Sequence, residues 1–311
     1  MATYCSKLDR VGNKNIIQNI VRSGLTSADI SASIVGKTFY VDSTIGSAGN
    51  DGLSWETPLA TITQGLAKCT ASKGDAVIVS PLHTETVTAA ITMSKIGVAL
   101  IGVCSGKQMP IITGNGAIDA IDITAAGCSV SNIRFAAPAT DAQTADINIA
   151  AARCTVSNTV HIGSTTGNNK VAIITVTAAG HDAVIDGIQV HNSVVEVVGG
   201  IVIEGVAERV EIKNCFFYCD TYGFTNGALH VSAVALAVNV HDNVFANAKA
   251  ATAVVNFAAN ATGICYNNFC SGRHTTIASN IVTGTSTDWF ETYVTEEAVK
   301  NGLLMPAVDA D

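Results

Sequence analysis

Residues 120–135 read AIDITAAGCSVSNIRF, and residues 146–161, twenty-six positions later, read DINIAAARCTVSNTVH. The two stretches carry the same order of features. An alternating strand (Ile121, Ile123; Ile147, Ile149) is followed by alanines, a cysteine and a second alternating strand, and then an asparagine bend. Alternation at period two puts the isoleucines on one face, the signature of a half-buried strand. The asparagine is among the few residues that tolerate the left-handed conformation of a sharp corner.

The pattern marches outward in both directions. The bend unit recurs as IDGIQV (185–190), IKNCFF (212–217), VHDNVF (240–245) and CYNNFC (265–270). Its corner falls at Asn132, Asn158, Gly187, Asn214, Asp242 and Asn267, with steps of 26, 29, 27, 28 and 25 residues. The strand unit keeps step as IITVTAAG (173–180), IVIEGVAE (201–208), LHVSAVAL (229–236) and VVNFAAN (254–260). DAVIVSP (75–81) and GVALIGV (97–103) are two earlier, less regular coils.

A repeat of this length built from strands too short to stand alone predicts stacked coils, each strand pairing in parallel with its neighbours about 4.8 Å away. No 3.6-residue period competes. The expected fold is an all-β, single-stranded parallel β-helix, a solenoid of about 7–9 coils, with short helical N- and C-terminal segments. Three parts follow: an arm or cap at 1–37, the β-helix at 38–285, and a C-terminal helix with an extended tail at 286–311. Stacked corner asparagines are expected to hydrogen-bond from coil to coil, and Cys128 and Cys154 to stack as buried thiols.

The segment FYVDSTIGSAGNDGLSWETPLATITQGL (39–66), followed by KGDAVIVSPLHTET (73–86), resembles the entry of pectin-lyase-like right-handed β-helix proteins. There, a strand and an N-D-G-x-S loop lead through a short helix into a first coil of G-D-x-V-x-V type. The resemblance implies right-handedness and the fold. It implies no single activity, because the superfamily holds polysaccharide lyases and hydrolases, phage tailspikes and non-catalytic virion proteins.

Composition narrows the function classes. Only 14% of the 311 residues are charged, and the net charge of −8 argues against binding nucleic acid through its phosphates. Apolar runs too short for a transmembrane helix argue against a membrane partner. Nine cysteines, an odd number without a CxxC pair, fit reduced thiols better than a disulfide scaffold or a zinc site. The first residues contain no apolar stretch of a signal peptide. Charge is polarised: residues 1–37 hold five basic and two acidic side chains, residues 286–311 one basic and six acidic.

Chemistry is sparse in the sequence. Asp182 and Asp186 beside His181 read as turn residues, and Arg273-His274 as a lone basic pair. His230 and His241 read as outward histidines without a carboxylate constellation. Outward positions look like Ala, Thr, Ser, Asn and Val, not the aromatics and carboxylates of a sugar groove. No catalytic residues, metal ligands or cofactor are assigned, and the chain is expected not to be an enzyme.

Assembly is expected instead. Ile16, Ile17, Ile20 and Val21 form an amphipathic turn, either a cap over the first coil or an attachment arm. Ser286 or Thr287 caps a helix whose aromatic face is Trp289, Phe290 and Tyr293, either sealing the last coil or docking on a neighbour. The corner alanines, among them Ala126, Ala151, Ala179 and Ala259, form a smooth stripe for a homotrimer or turn inward. WFETYVTEEAVKNGLLMPAV (289–308) also resembles the C-terminal tails of phage structural proteins. The expected role is thus a virion protein made in the host cytoplasm. It would decorate the capsid as a homotrimer, contacting the major capsid or another virion protein. The alternative is a tailspike or depolymerase that binds or cleaves host polysaccharide; a glycan partner belongs to that alternative.

Overall fold

The computed structural model describes residues 35–138, 143–163, 170–192, 197, 199–219, 223–231, 234–248, 252–258, 260–272, 282–283, 287–290, 292–296 and 299–305. Ile16, Ile17, Ile20, Val21 and Ala259, expected to serve capping, attachment or assembly, lie outside these residues.

From Ala76–Val79 to Thr292–Glu296 the described strands follow one another in a fixed cycle through three sheets of parallel pairing. The first, ten-stranded sheet runs from Thr38–Val41 to Thr287–Phe290. The second, also ten-stranded, runs from Thr84–Val87 to Val299–Met305. The third, eight-stranded, runs from Ile91–Met93 to Val282–Thr283. This is the parallel β-helix expected from the repeat, with the right-handedness that the resemblance implied. The regular, corner-marked turns number six, slightly fewer than the 7–9 coils anticipated; the flanking turns depart from the regular length.

The register shows why the sequence folds this way. Ile121, Ile147, Ile174, Ile201, Leu229 and Val255 pair in one continuous interior row of the third sheet, all essentially solvent-free. Val130, Val156, Ile185, Ile212 and Val240 form the matching row of the first sheet. Each such side chain contributes about 1.5–3 kcal/mol of burial, so the rows, not the individual short strands, hold the rod together.

All six predicted corners have positive φ, between 51° and 67°. The coil-to-coil bonds appear as Nδ2 of Asn214 donating to Oδ1 of Asp186 at 2.8 Å, and as Asn267 donating to Asp242. A second, buried asparagine ladder stands one residue further on. Nδ2 of Asn243 donates to the Asn268 amide oxygen at 2.9 Å and to Ile212 O at 3.0 Å. Cys128 and Cys154 are buried free thiols in adjacent coils. Among the described residues seven cysteines are free thiols and Cys104 is disulfide-bonded, which corrects the expectation of reduced thiols at that position.

The short helix α1 (Ile62–Lys68) packs Ile62 and Leu66 into the core near the N-terminal end of the rod. Thr61 and Gln64 form a capping box at its start. Nζ of Lys95 donates to the carbonyls of Leu66, Ala67 and Cys69 at its end, at 3.0, 2.7 and 2.6 Å.

The C-terminal helix is a correction. Thr287–Phe290 joins the first sheet, pairing Trp289 with Cys265 and Phe290 with Tyr266. Thr292–Glu296 joins the second, pairing Tyr293 with Phe269. Val299–Met305 then folds back antiparallel on it. The β-helix therefore continues beyond residue 285. The physical reason is the open last rung: its unpaired N–H and C=O groups reward a strand, and threonines, valine and aromatics favour one. Acidic residues suited to a helix start could not outweigh that.

The alanine corner is also narrower than expected. Ala125, Ala151, Ala207 and Ala235 are buried, Ala126 is half-buried, and Ala179 is exposed.

Candidate functional site

A groove of about 340 Å³ lies on the outer face of the third sheet, across successive coils. Asp119, Thr144, Asn148, Thr175, Glu204 and Asn226 contribute to its wall. Asp122, Asn148, Thr175, Val202, His230 and Asn256 pair in register as one outward row, on the opposite face from the isoleucines, and Asn148, Thr175 and Val202 of that row line the groove. Nδ2 of Asn148 donates to Oδ1 of Asp122 at 2.9 Å.

The groove separates its carboxylates electrostatically. Burial raises the Asp119 carboxyl above the usual carboxylate range, and the neighbouring charges of Asp122 and Glu204 push the same way, against a hydrogen bond from the Ala145 amide. Glu204 is exposed to water. Burial lowers His230, a tendency that the charge of Glu204 opposes. Histidine 230 thus has the carboxylate neighbour that the sequence did not reveal. The groove thus holds a half-buried carboxyl whose hold on its proton is strengthened and, three rungs away, a solvent-exposed carboxylate; two carboxyl groups in unlike environments are what acid–base cleavage of a glycosidic bond uses.

The second sheet adds a row of large outward side chains. Phe216, Val244 and Phe269 pair in register and are 43%, 38% and 44% exposed, with Tyr218 on the next outward row at 47%. The expectation of outward positions that are mostly Ala, Thr, Ser, Asn and Val does not describe this row. Rungs are about 4.8 Å apart, close to one pyranose unit, and flat apolar rings suit the apolar face of a sugar.

A third constellation is sealed inside the rod. Oδ2 of Asp146 receives Nζ of Lys170 at 2.6 Å and lies 2.8 Å from Nδ1 of His161. Nε2 of His161 lies 2.8 Å from Oγ1 of Thr159. Nε2 of Gln143 donates to Oδ1 of Asp146 at 3.2 Å. The His161 ring stacks on Phe135 with centroids 4.9 Å apart. Lys170 and His161 have no solvent-exposed side-chain area, and burial lowers the pKa of each. No substrate reaches these atoms. The sequence signal was present but faint: Gln143 and Lys170 are in register, two buried polar residues at the start of strands whose other inward residues are mostly apolar.

The other candidates are structural. Asp182 binds Nε of Arg209 at 2.6 Å, Asp186 accepts from Asn214, and Nδ1 of His181 accepts the Glu208 amide at 3.2 Å. His241 stacks on Tyr266 and sits 2.7 Å from Asp242. Arg273-His274 lies outside the described residues. Among the described residues no group of three or more His, Cys, Asp or Glu could hold a metal ion, and no helix is long and apolar enough to cross a membrane.

The fold is that of a right-handed parallel β-helix. The chain is similar to the crystal structure of pectate lyase Pel9A, with a TM-score of 0.50 and 13% identity over 87% of this chain and 80% of that one. It also matches a rhamnogalacturonan lyase, with a TM-score of 0.43 and 13% identity over 83% of this chain and 87% of that one. No protein-family model matches, and no curated protein matches. The likeness to pectate lyase Pel9A, an enzyme with this fold, corrects the expectation of a non-enzyme.

Proposed function

We propose that the protein is a polysaccharide-engaging β-helix of the tailspike or depolymerase kind, which binds an extended glycan along the rod and cleaves it. The groove of the third sheet carries the reading, because it places Asp119 and Glu204 on one surface with opposed environments. Asp119 is the general acid that protonates the leaving oxygen. Glu204 acts from the solvated side as base or nucleophile. The aromatic row of the second sheet supplies stacking surface for further sugars.

Reducing-end release from a panel of bacterial surface polysaccharides tests this. At least one polymer is expected to be cleaved. Asp119→Asn and Glu204→Gln should each lower the rate by about 10²–10⁴-fold while leaving glycan binding in place. Failure of the wild-type protein to bind or cleave any polymer of the panel would remove the reading.

A further inference from the structure

An ammonium and a carboxylate sealed in an apolar rod are costly to desolvate, and their mutual attraction recovers that cost only with complete hydrogen bonding. Here Nζ of Lys170 also donates to Ile162 O at 3.1 Å, and the two oxygens of Asp146 are served differently: Oδ2 faces Lys170 and His161, Oδ1 faces Gln143. That division matches an acyl transfer, in which one oxygen leaves and the other carries the developing charge.

We propose that Lys170 and Asp146 condense spontaneously into an intramolecular isopeptide bond that ties two neighbouring coils of the rod together. Nζ, whose ammonium form burial disfavours, first hands one proton to Oδ2, leaving a neutral amine beside a carboxylic acid. The amine is a desolvated nucleophile already held 2.6 Å from Oδ2. Its lone pair forms the Nζ–Cγ bond, and the charge gathers on Oδ1, which accepts from Nε2 of Gln143. The Cγ–Oδ2 bond then breaks. Nδ1 of His161 donates its proton to the departing hydroxyl and takes the second proton from Nζ, so one water leaves. Thr159 donates its hydroxyl to Nε2 and holds the ring in that tautomer. Ammonium and carboxylate become a neutral amide plus water, with no co-reactant, and the buried charges disappear.

His161 is a catalytic residue of this step, since it touches the reacting oxygen. Gln143 stabilises the oxyanion. The stack on Phe135, its ring plane only 4° from that of His161, fixes the imidazole in the reacting geometry.

Intact-mass measurement of the denatured full-length chain decides the matter, with Met1 processing and the disulfide accounted for. The wild-type chain is expected to be one water lighter than its sequence. Proteolysis with tandem mass spectrometry should give a branched peptide joining Asp146 to Lys170. Lys170→Met restores the full mass. Asp146→Asn forms the same amide by releasing ammonia in place of water, an outcome that a mere salt bridge cannot produce. His161→Phe keeps the stack on Phe135 but leaves the chain at full mass. A cooperatively folded wild-type chain at full mass overturns the proposal, as does a water loss mapped to other residues. A His161→Phe chain that condenses as completely as wild type overturns the role given to His161.

Discussion

Burial sets the chemistry of single residues in this rod. The thiols of Cys215 and Cys270 are pushed up to about 12 by desolvation, and Cys265 rises well above its ordinary range. Since the thiolate is the reactive form, iodoacetamide at pH 8 is expected to leave these three unlabelled in the folded protein and to label them in urea. Labelling of native protein at the rate of a free thiol would contradict their placement. The same reasoning gives the groove a pH dependence. A general acid must hold its proton, and Asp119 holds it to higher pH than an ordinary aspartate, near 3.9. Cleavage should therefore be greatest in mild acid and fall as pH rises through the Asp119 value; a rate that instead climbs steadily through neutral pH would exclude Asp119 as the acid. None of this was legible residue by residue, since Asp119 and Glu204 lie in different repeats and no short motif joins them.

At the scale of the element, corners and ladders were the readable parts. Asn132, Asn158 and Asn214 announced their left-handed bends because few residues tolerate that conformation. The inner ladder was invisible, since Asn243 and Asn268 follow the corner where other coils carry Ile133, Ile188 or Cys215. Asn243→Ala strips the Cys215 amide of the acceptor it meets at 2.9 Å, an unpaired buried donor costing about 1–3 kcal/mol. Urea unfolding should show a midpoint lowered accordingly; an unchanged midpoint would deny the ladder a structural role. The last strands were misread because local helix signals were weighed without the open rung to which they dock.

Over the whole molecule, period and alternation made the fold legible, whereas function depends on what the register brings side by side. A slip of one residue would turn Asp122, Asn148 and His230 inward and expose the isoleucines. The groove, the aromatic row and the sealed Asp146–Lys170 pair all exist only if successive coils stack in phase. Ser129 and Ile264 occupy one outward row of the first sheet, five rungs apart. Spin labels on cysteines placed there, in a Cys219→Ser background, report that stacking by dipolar spectroscopy. In-phase rungs predict a single narrow distance near 24 Å, five steps of about 4.8 Å; a broad distribution, or a centre displaced by more than one rung, would contradict the stacked rod and every site built on it.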